Sequence, residues 1–301
     1  MSTLFSHFSS KINRIAPLET KFTEVLDAIA LKPKTLYFYG KIPENMSKTV
    51  AIVGSRHNTK YGEEVAYKLA YELAKHDVIV ISGLAYGIDS VAHRGCLDAG
   101  GKTIAVLGTP INRIYPRAHE SLAREIIEKD GAIFSEYGPD ETCYPNTNAF
   151  LRRNRIISGL SDIVVVVEAA EKSGSLNTAT HALNQGKDVF AVPGNINNPY
   201  SRGCNNLIKQ GAFPYTEPDD LMKLLFPEEY LKKRKKFRQK NLIGDTEVET
   251  LILQALARGL RSGEEIMKET HLPPEVFNEV ATILEIKSRI RALGMNNWSL
   301  V

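Results

Sequence analysis

The chain has 301 residues, of which 43% are hydrophobic and 24% are charged, with a formal net charge of +3. Such a composition is ordinary for a globular protein and leaves room for one large domain and a small one. No apolar run reaches membrane-spanning length and the N-terminus carries no export pattern, so we expect a cytoplasmic protein without a membrane contact. Cys96, Cys143 and Cys204 are far apart in the sequence, which predicts free thiols and no metal site.

Charge is unevenly distributed along the chain. Residues 231–240 hold seven Lys or Arg and no acid, residues 244–301 hold nine acids and six bases, and residues 1–230 hold 26 acids and 25 bases. Because the large N-terminal part is almost neutral, a site for a polyanion on it has to be a local cluster of cations. The basic run has two open interpretations, a solvated linker or a segment that adds nonspecific attraction to a polyanion.

Residues 1–47 form an N-terminal segment ahead of the main pattern. Residues 31–40 predict a loop followed by an edge strand. A helix is predicted by the helical spacing of four apolar residues, Phe22, Val25, Leu26 and Ile29.

Short apolar runs alternate with amphipathic stretches over residues 48–226. The predicted strands are residues 50–54, 78–82, 103–107, 132–135, 163–168 and 188–192. The predicted helices are residues 62–75, 88–99, 118–129, 154–160 and 175–185, with a further short helix near 205–210. Strand–helix alternation at this spacing predicts an α/β fold with a doubly wound, mainly parallel sheet.

A basic linker at residues 227–243 precedes a small C-terminal domain at residues 244–301. Three helical patterns, at residues 246–256, 262–270 and 274–286, are followed by a two-stranded hairpin at 290–300. This order predicts a winged-helix-like domain. Its acidic balance is unfavourable for independent duplex binding and fits a contact with protein better.

The segment Val-Gly-Ser-Arg ends the first predicted core strand, where open parallel sheets collect ligands. Gly54 allows a close backbone approach, Ser55 offers a hydroxyl, and the forked guanidinium of Arg56 suits a phosphate. The alternative is a solvated loop arginine. Because the Gly-x-Gly-x-x-Gly fingerprint is absent, NAD and FAD are disfavoured and no cofactor is expected.

The segment Phe-Leu-Arg-Arg-Asn-Arg at residues 150–155 is the sharpest binding signal. An aromatic ring beside three arginines combines base stacking with phosphate contacts, which is typical of sites for single strands. The arginines cannot all face one way on a helix, so some of them are expected to point inward or toward Asp162 and Glu168. The candidate residues of this segment are Phe150, Arg152, Arg153, Asn154 and Arg155.

A Gly- and hydroxyl-rich turn, residues 173–178, opens a helix directly after the most apolar strand. Free amides at a helix N-terminus, together with hydroxyls, form a natural anion site. Capping by Ser173 or Ser175 is the compatible structural alternative. The candidate residues here are Ser173, Gly174, Ser175 and Thr178.

Other polar residues have structural interpretations. Glu168 would repel a phosphate, so we expect it to pair with an arginine or accept amides. Asp89 is expected to satisfy free amides at a helix start, and His93 and Tyr115 are expected to be packed. No residue resembles a nucleophile with its base, so no catalytic residue is assigned and the chain is not expected to be an enzyme.

Taken together, these motifs resemble the DNA-processing protein A (DprA/Smf) family of bacteria over about residues 31–300. The resemblance is carried by Val-Gly-Ser-Arg56, Ser-Gly-Leu-Ala-Tyr-Gly-Ile-Asp89, Tyr115-Pro116, Arg153-Asn-Arg-Ile-Ile-Ser-Gly-Leu160, Val-Glu168-Ala, Ser-Gly-Ser-Leu-Asn-Thr-Ala179 and Val-Phe-Ala-Val-Pro-Gly194.

The resemblance implies an extended Rossmann-like core that binds single-stranded DNA. Because no segment resembles a helix that reads base edges, we expect little sequence preference. The resemblance also implies protection of incoming DNA, loading of the RecA recombinase during natural transformation, dimerisation through the core and a winged-helix-like C-terminal domain. On this basis the arginines named above contact phosphates, the 173–178 turn binds one phosphate, and Phe150 stacks a base.

Two other function classes stay open. The same broad fold occurs in nucleotide-processing hydrolases similar to the lysine-decarboxylase-like phosphoribohydrolases, which carry a Pro-Gly-Gly-x-Gly-Thr loop before a catalytic Glu. This chain has Pro193-Gly194-Asn195 in place of such a loop. The third class is an assembly adaptor whose basic patch binds an acidic protein.

Overall fold

The computed structural model describes residues 12–43, 47–141, 147–228 and 242–300. Contacts divide the chain into two units, Met1–Leu225 and Phe226–Val301. Most of the predicted basic linker lies outside the described residues, as does Cys143. None of the helices described in these ranges is long and apolar enough to cross a membrane.

The strands described in the first unit form a single sheet. They are β1 (Asn13–Ile15), β2 (Leu36–Gly40), β3 (Thr49–Val53), β4 (Ile79–Ser82), β5 (Thr103–Leu107), β6 (Ala132–Ser135), β7 (Ile163–Val166), β8 (Asp188–Ala191) and β9 (Phe213–Pro214). Their order is β1-β2-β6-β5-β4-β3-β7-β8-β9. β1 and β2 pair in antiparallel fashion, and the seven strands from β6 to β9 in this order are parallel.

The strand order reverses between β3 and β7. From β3 the chain first builds outward through β4, β5 and β6, and then returns to add β7, β8 and β9 on the other side. Val53 of β3 is in register with Val166 of β7, so both strands end together. In open parallel sheets a ligand site is expected at such a switch point, beside the carboxyl ends of the strands.

Helices cover both faces of this sheet. They are α1 (Lys60–Lys75), α2 (Ile88–Asp98), α3 (Glu120–Glu128), α4 (Thr147–Gly159), α5 (Gly174–Asn184), α6 (Arg202–Lys209) and α7 (Asp219–Leu225). All five residues of β3 are buried; Ala51 and Val53 share one apolar cluster with Ile156 of α4. Leu107 and Ile126 belong to a second cluster formed by β5 and α3. The predicted α/β fold with a doubly wound, mainly parallel sheet is therefore confirmed.

Several predicted boundaries differ from the structure. The helix predicted at 154–160 begins seven residues earlier, at Thr147, because polar residues of its first turns face a cavity and carry no apolar periodicity. The strand at 36–40 is not an edge strand, because β1 pairs with it. The helix predicted from residue 22 to 29 is replaced by short 3₁₀ turns at Pro17–Glu19 and Glu24–Asp27. There the Thr23 hydroxyl donates to the Pro17 carbonyl at 2.7 Å, a local bond that competes with a regular helix.

Residues 242–300 of the second unit form three helices and a hairpin in the predicted order. They are α8 (Glu247–Ala257), α9 (Gly263–Thr270), α10 (Pro274–Ile286), β10 (Ile290–Gly294) and β11 (Asn297–Leu300). Ile252, Phe277 and Leu284 form its buried core, with the Trp298 ring packed edge-on to Phe277. The comparison with a winged helix stays a prediction.

Candidate nucleic-acid interface

A cavity of about 630 Å³ opens at the carboxyl ends of β3 and β7, where the strand order reverses. It is bordered by the loop after β3, the start of α2, the helix α4 and the turn that begins α5. Ten of the twelve predicted site residues line it: Gly54, Ser55, Arg56, Phe150, Arg153, Asn154, Ser173, Gly174, Ser175 and Thr178. Arg152 and Arg155 are not part of its lining. The topology thus brings residues 54–56 together with two segments, 150–154 and 173–178, that follow about a hundred residues later in the sequence.

Positive charge predominates among the residues that line the cavity. Its cations are Arg56, Arg153 and Lys172, and its one carboxylate belongs to Asp89. Arg56 and Lys172 are exposed, whereas Arg153 and Asp89 are buried. Because the exposed charges are both cations, the accessible surface of the cavity favours an anion.

Arg56 is held in place by the aromatic ring of Phe150. The guanidinium carbon lies 5.2 Å from the ring centroid, within the range of a cation–π contact. Phe150 in turn packs on Gly108, where a side chain would come within 2.7 Å of the ring. The Phe150 ring therefore orients the Arg56 guanidinium, and the packing of this ring on Gly108 fixes the ring itself.

Backbone contacts anchor the loop that carries Arg56. The Ser55 amide donates to the Glu168 carbonyl at 2.7 Å, and the Ile88 amide donates to the Ser55 carbonyl at 3.1 Å. Gly54 packs against Ile88, where a Cβ would come within 2.6 Å of the isoleucine side chain. The glycine is therefore needed for close packing of α2 and not for the approach of a ligand. The Ser55 hydroxyl accepts the His57 amide at 3.1 Å and closes a local turn.

The turn that opens α5 is organised as a capped helix start. Ser173 is the N-cap, its hydroxyl lies 2.7 Å from that of Ser175, and it accepts the Ser175 amide at 3.4 Å. The side-chain amide of Asn154 donates to the Gly174 carbonyl at 3.2 Å and ties α4 to this turn. Because Gly174 is the first helical residue, its own amide has no acceptor within the helix, and the residue lines the cavity. Capping by Ser173 is therefore observed, and anion binding at this turn stays a prediction.

Arg153 and Asp89 form the buried floor of the cavity. Arg153 is 5% exposed and donates to the carbonyls of Gly83, at 2.8 Å, and of Val106. Asp89 accepts the Gly83 amide at 3.1 Å, so the amide it satisfies belongs to the loop before α2 and not to the helix start that was predicted. Burial raises the pKa of the Asp89 carboxyl, and Arg153 opposes that rise. Burial also lowers the pKa of Arg153 to about 10, with Asp89 opposing. The Nε and Nη1 groups of Arg153 are thus bonded to protein, and its buried charge lies beside that of Asp89.

Arg155 is turned away from the cavity. It is 2% exposed and donates to the Leu31 carbonyl, to the Arg152 carbonyl at 2.8 Å and to the Glu136 carboxylate at 2.7 Å. Arg152 is exposed, but it pairs with the same carboxylate at 3.2 Å. The expectation that both contact phosphates is not supported by these positions, because one is engaged inside the protein and the other lies outside the cavity lining.

The acids expected to face these arginines have other partners. Glu168 is 1% exposed and accepts the Thr59 amide at 2.8 Å and the Thr59 hydroxyl at 2.6 Å. The prediction that Glu168 accepts amides is confirmed, and the alternative of an arginine partner is wrong. Asp162 accepts the Thr49 amide at 2.9 Å, and it is Glu136 that pairs with the arginines.

Sequence reasoning missed Lys172 and His57, which also line the cavity. Lys172 directly precedes the Ser173 cap, so its position next to an anion-binding turn was a signal available from the sequence. His93, by contrast, is packed as predicted: it is fully buried, and its Nδ1 lies 2.7 Å from the Thr103 hydroxyl. Within the described ranges no three His, Cys, Asp or Glu side chains cluster as a metal site would require.

The fold and the cavity define a Rossmann-like α/β protein with a cation-lined site at the switch point of its sheet. The chain matches the family model for DNA recombination-mediator protein A over residues 13–226. It is 48% identical over 193 residues to Protein Smf of Escherichia coli strain K12, an alignment that covers 64% of this chain and 51% of that protein. The chain thus spans about half the length of that relative. It belongs to the DNA recombination-mediator protein A family, which confirms the resemblance noted from the sequence.

Solved structures of the same family share the fold. DNA processing protein A of Streptococcus pneumoniae superposes with a TM-score of 0.64 at 38% identity, covering 70% of this chain and 74% of that one. DNA processing protein A of Helicobacter pylori superposes with a TM-score of 0.63 at 30% identity, covering 74% of this chain and 98% of that one. The Helicobacter pylori protein is described as having a unique mode of binding single-stranded DNA.

Proposed function

We propose that this chain binds single-stranded DNA in the cavity at the switch point without cutting it. The observation that carries the proposal is that Arg56, Lys172 and the N-terminus of α5 converge on one cavity, where the one carboxylate among the described lining residues, Asp89, is buried beside Arg153. Guanidinium, ammonium and free main-chain amides are the groups that bind phosphate oxygens. The described binding mode of the Helicobacter pylori relative supports the same ligand.

A single strand suits this cavity better than a duplex. A duplex presents its phosphates on the outside of a stiff rod, which meets a concave cavity only at the rim. An unpaired strand can enter and turn its bases toward aromatic surface while its phosphates meet the cations. Since the cavity offers backbone donors and no helix positioned to enter a groove, binding is expected to show little sequence preference.

Beyond DNA binding, we propose that the chain protects incoming single strands and loads the RecA recombinase onto them during natural transformation. Family membership as a DNA recombination mediator supports this role. A loader has to bind its strand without consuming it, and the cations and helix-start amides of the cavity are groups that bind a phosphate by charge and hydrogen bonds. Dimerisation through the core and a cytoplasmic location belong to the same proposal.

The test compares a labelled single strand of about 12 nucleotides with the corresponding duplex, by fluorescence anisotropy at fixed salt. We expect clear preference for the single strand, and loss of most of that preference in Arg56→Ala. Equal affinity for both DNAs would contradict the proposal. A parallel assay for release of free base from a nucleoside monophosphate addresses the hydrolase alternative, and we expect none.

The loading step has its own readout. ATP hydrolysis by RecA is measured on single strands covered with single-stranded-DNA-binding protein, with and without this chain. We expect stimulation by the intact chain and not by Arg56→Ala. If the chain binds single strands but leaves RecA unaffected, the loading role is wrong and the binding role stands.

A further inference from the structure

Two exposed tyrosines lie beside the cavity and have no role in the site described above. Tyr115, which lines the cavity, is 42% exposed, and Tyr86, next to the lining residue Ala85, is 48% exposed. Each is fixed by another aromatic ring. The Tyr115 ring lies 5.5 Å from that of Phe150, and the Tyr86 ring contacts His119 edge-on at 5.0 Å.

Phe150 is poorly placed to stack a base itself. Its ring is contacted by the Arg56 guanidinium at 5.2 Å and by the Tyr115 ring at 5.5 Å, and it is only partly exposed. Among the described aromatic residues that line the cavity, Tyr115 is the most exposed. Phe150 positions the cation and the tyrosine.

Tyr86 lies where the main cavity adjoins a second one of about 740 Å³. Three short segments contribute residues to both cavities. The main cavity is lined by His57, Asp89 and Tyr115. The second cavity is lined by their near neighbours in sequence, Lys60, Ser90 and His119. The loop that carries Tyr86 is anchored by a hydrogen bond, in which His119 Nδ1 donates to the Leu84 carbonyl at 2.8 Å. Tyr86 is thus presented on a fixed loop between two adjoining cavities.

We propose that Tyr115 and Tyr86 are base-stacking residues, so that a single strand leaving the main cavity continues over the Tyr86 loop toward the second cavity. This inference rests on the proposed binding of single-stranded DNA. Every base has a stackable face, so such rings add affinity without sequence preference. The second cavity offers phosphates little free positive charge, because Lys68 pairs with Glu64 and Arg94 pairs with Glu125.

The test measures affinity for oligo-thymidine strands of about 4 and about 12 nucleotides, spanning the range of known single-strand site sizes. We expect Tyr86→Ala to weaken binding of the longer strand by about fivefold or more and to leave the shorter strand unaffected. Tyr115→Ala should weaken both. Tyr86→Phe should bind like wild type, since stacking uses the ring and not the hydroxyl. Tyr61→Ala is the control for loss of an equally exposed tyrosine, because Tyr61 is also 48% exposed but its hydroxyl donates to the Pro193 carbonyl, whereas the Tyr86 ring packs on His119 of the second cavity.

A second measurement changes the strand, in wild type and in the Tyr86→Ala background. In the longer strand a single abasic nucleotide is moved from one end to the other, which removes one base and keeps every phosphate. We expect two positions of weakened binding, one of which disappears in the Tyr86→Ala background. A longer strand that gains nothing over the shorter one, or an unchanged Tyr86→Ala affinity, would overturn the inference while leaving the binding site intact. Failure of wild type to bind either strand would instead remove the proposed function.

Discussion

The guanidinium of Arg155 lies 2.7 Å from a carboxylate oxygen of Glu136, and both side chains are shielded from solvent, with 3% and 12% of their surface exposed. Arg152, one helical turn away, reaches the same oxygen at 3.2 Å but is 57% exposed. Two arginines with a common partner therefore differ chiefly in burial. An ion pair in the interior is costly to break on one side only, whereas an exposed pair contributes little.

Stability measurements should separate these two arginines. Arg155→Ala removes the buried partner of Glu136, leaves it with the exposed Arg152 and frees the Leu31 carbonyl, so we expect the free energy of unfolding to fall by about 3–5 kcal/mol. Arg152→Ala should lower it by less than about 1 kcal/mol. Urea unfolding followed by far-UV circular dichroism checks both values. Similar losses for the two variants would mean that the Glu136 site is less closed than its geometry indicates.

The salt dependence of DNA binding should identify the cations that meet phosphates. Each phosphate contact to a single strand contributes about 0.7 to the slope of log K against log salt concentration. We expect Arg56→Ala and Lys172→Ala each to reduce the slope by about that amount, because both residues are exposed at the cavity. Arg152→Ala serves as a control of equal charge change outside the cavity lining and should leave the slope unchanged. A reduced slope for Arg152→Ala would restore that residue to the site.

Gly87 sets the position of the Arg56 loop and can be tested by a matched glycine pair. Its φ is +78°, and a Cβ there would collide with the Ser55 carbonyl oxygen. Gly186 has a similar φ of +69° but open space around it. We expect Gly186→Ala to cost about 1–2 kcal/mol of stability through backbone strain alone, with DNA affinity unchanged. Gly87→Ala should cost more and should also weaken DNA binding, because the loop carrying Arg56 has to move. Equal stability losses, or unchanged affinity in Gly87→Ala, would contradict this account.

The sheet and the convergence of the site were predictable because both follow from local patterns. Apolar runs such as the one ending at Val166 identify buried strands, and parallel topology places their carboxyl ends together. Hence the segments around Arg56, Arg153 and Ser173 were expected to meet, and they do.

What each arginine contacts could not be predicted, because that depends on neighbours distant in the sequence. Arg155 is bonded to Leu31 and to Glu136, which lie 124 and 19 residues away. Helical periodicity indicates that Arg152 and Arg155 differ in direction from Arg153, but not which of the three is buried. The extent of α4 was also missed, because the polar residues of its first turns face a cavity instead of forming an apolar stripe.

The buried histidine of α2 should make the folded state sensitive to mild acid. Burial lowers the pKa of His93 to about 3 from the ordinary 6.5, with His119 and Arg153 adding to the shift. Below pH 6.5 the unfolded chain binds a proton that the folded chain does not, so the free energy of unfolding falls as the pH falls toward 3. The loss attributable to this residue is up to about 1.4 kcal/mol per pH unit, or about 2 kcal/mol between pH 6.5 and 5. His93→Gln removes the titrating group. The difference in free energy of unfolding between wild type and variant should therefore shrink by about 2 kcal/mol from pH 6.5 to pH 5. Urea unfolding at pH 7, 6 and 5 checks this, and parallel pH profiles for the two proteins would show that His93 is protonated in the folded state or reaches solvent.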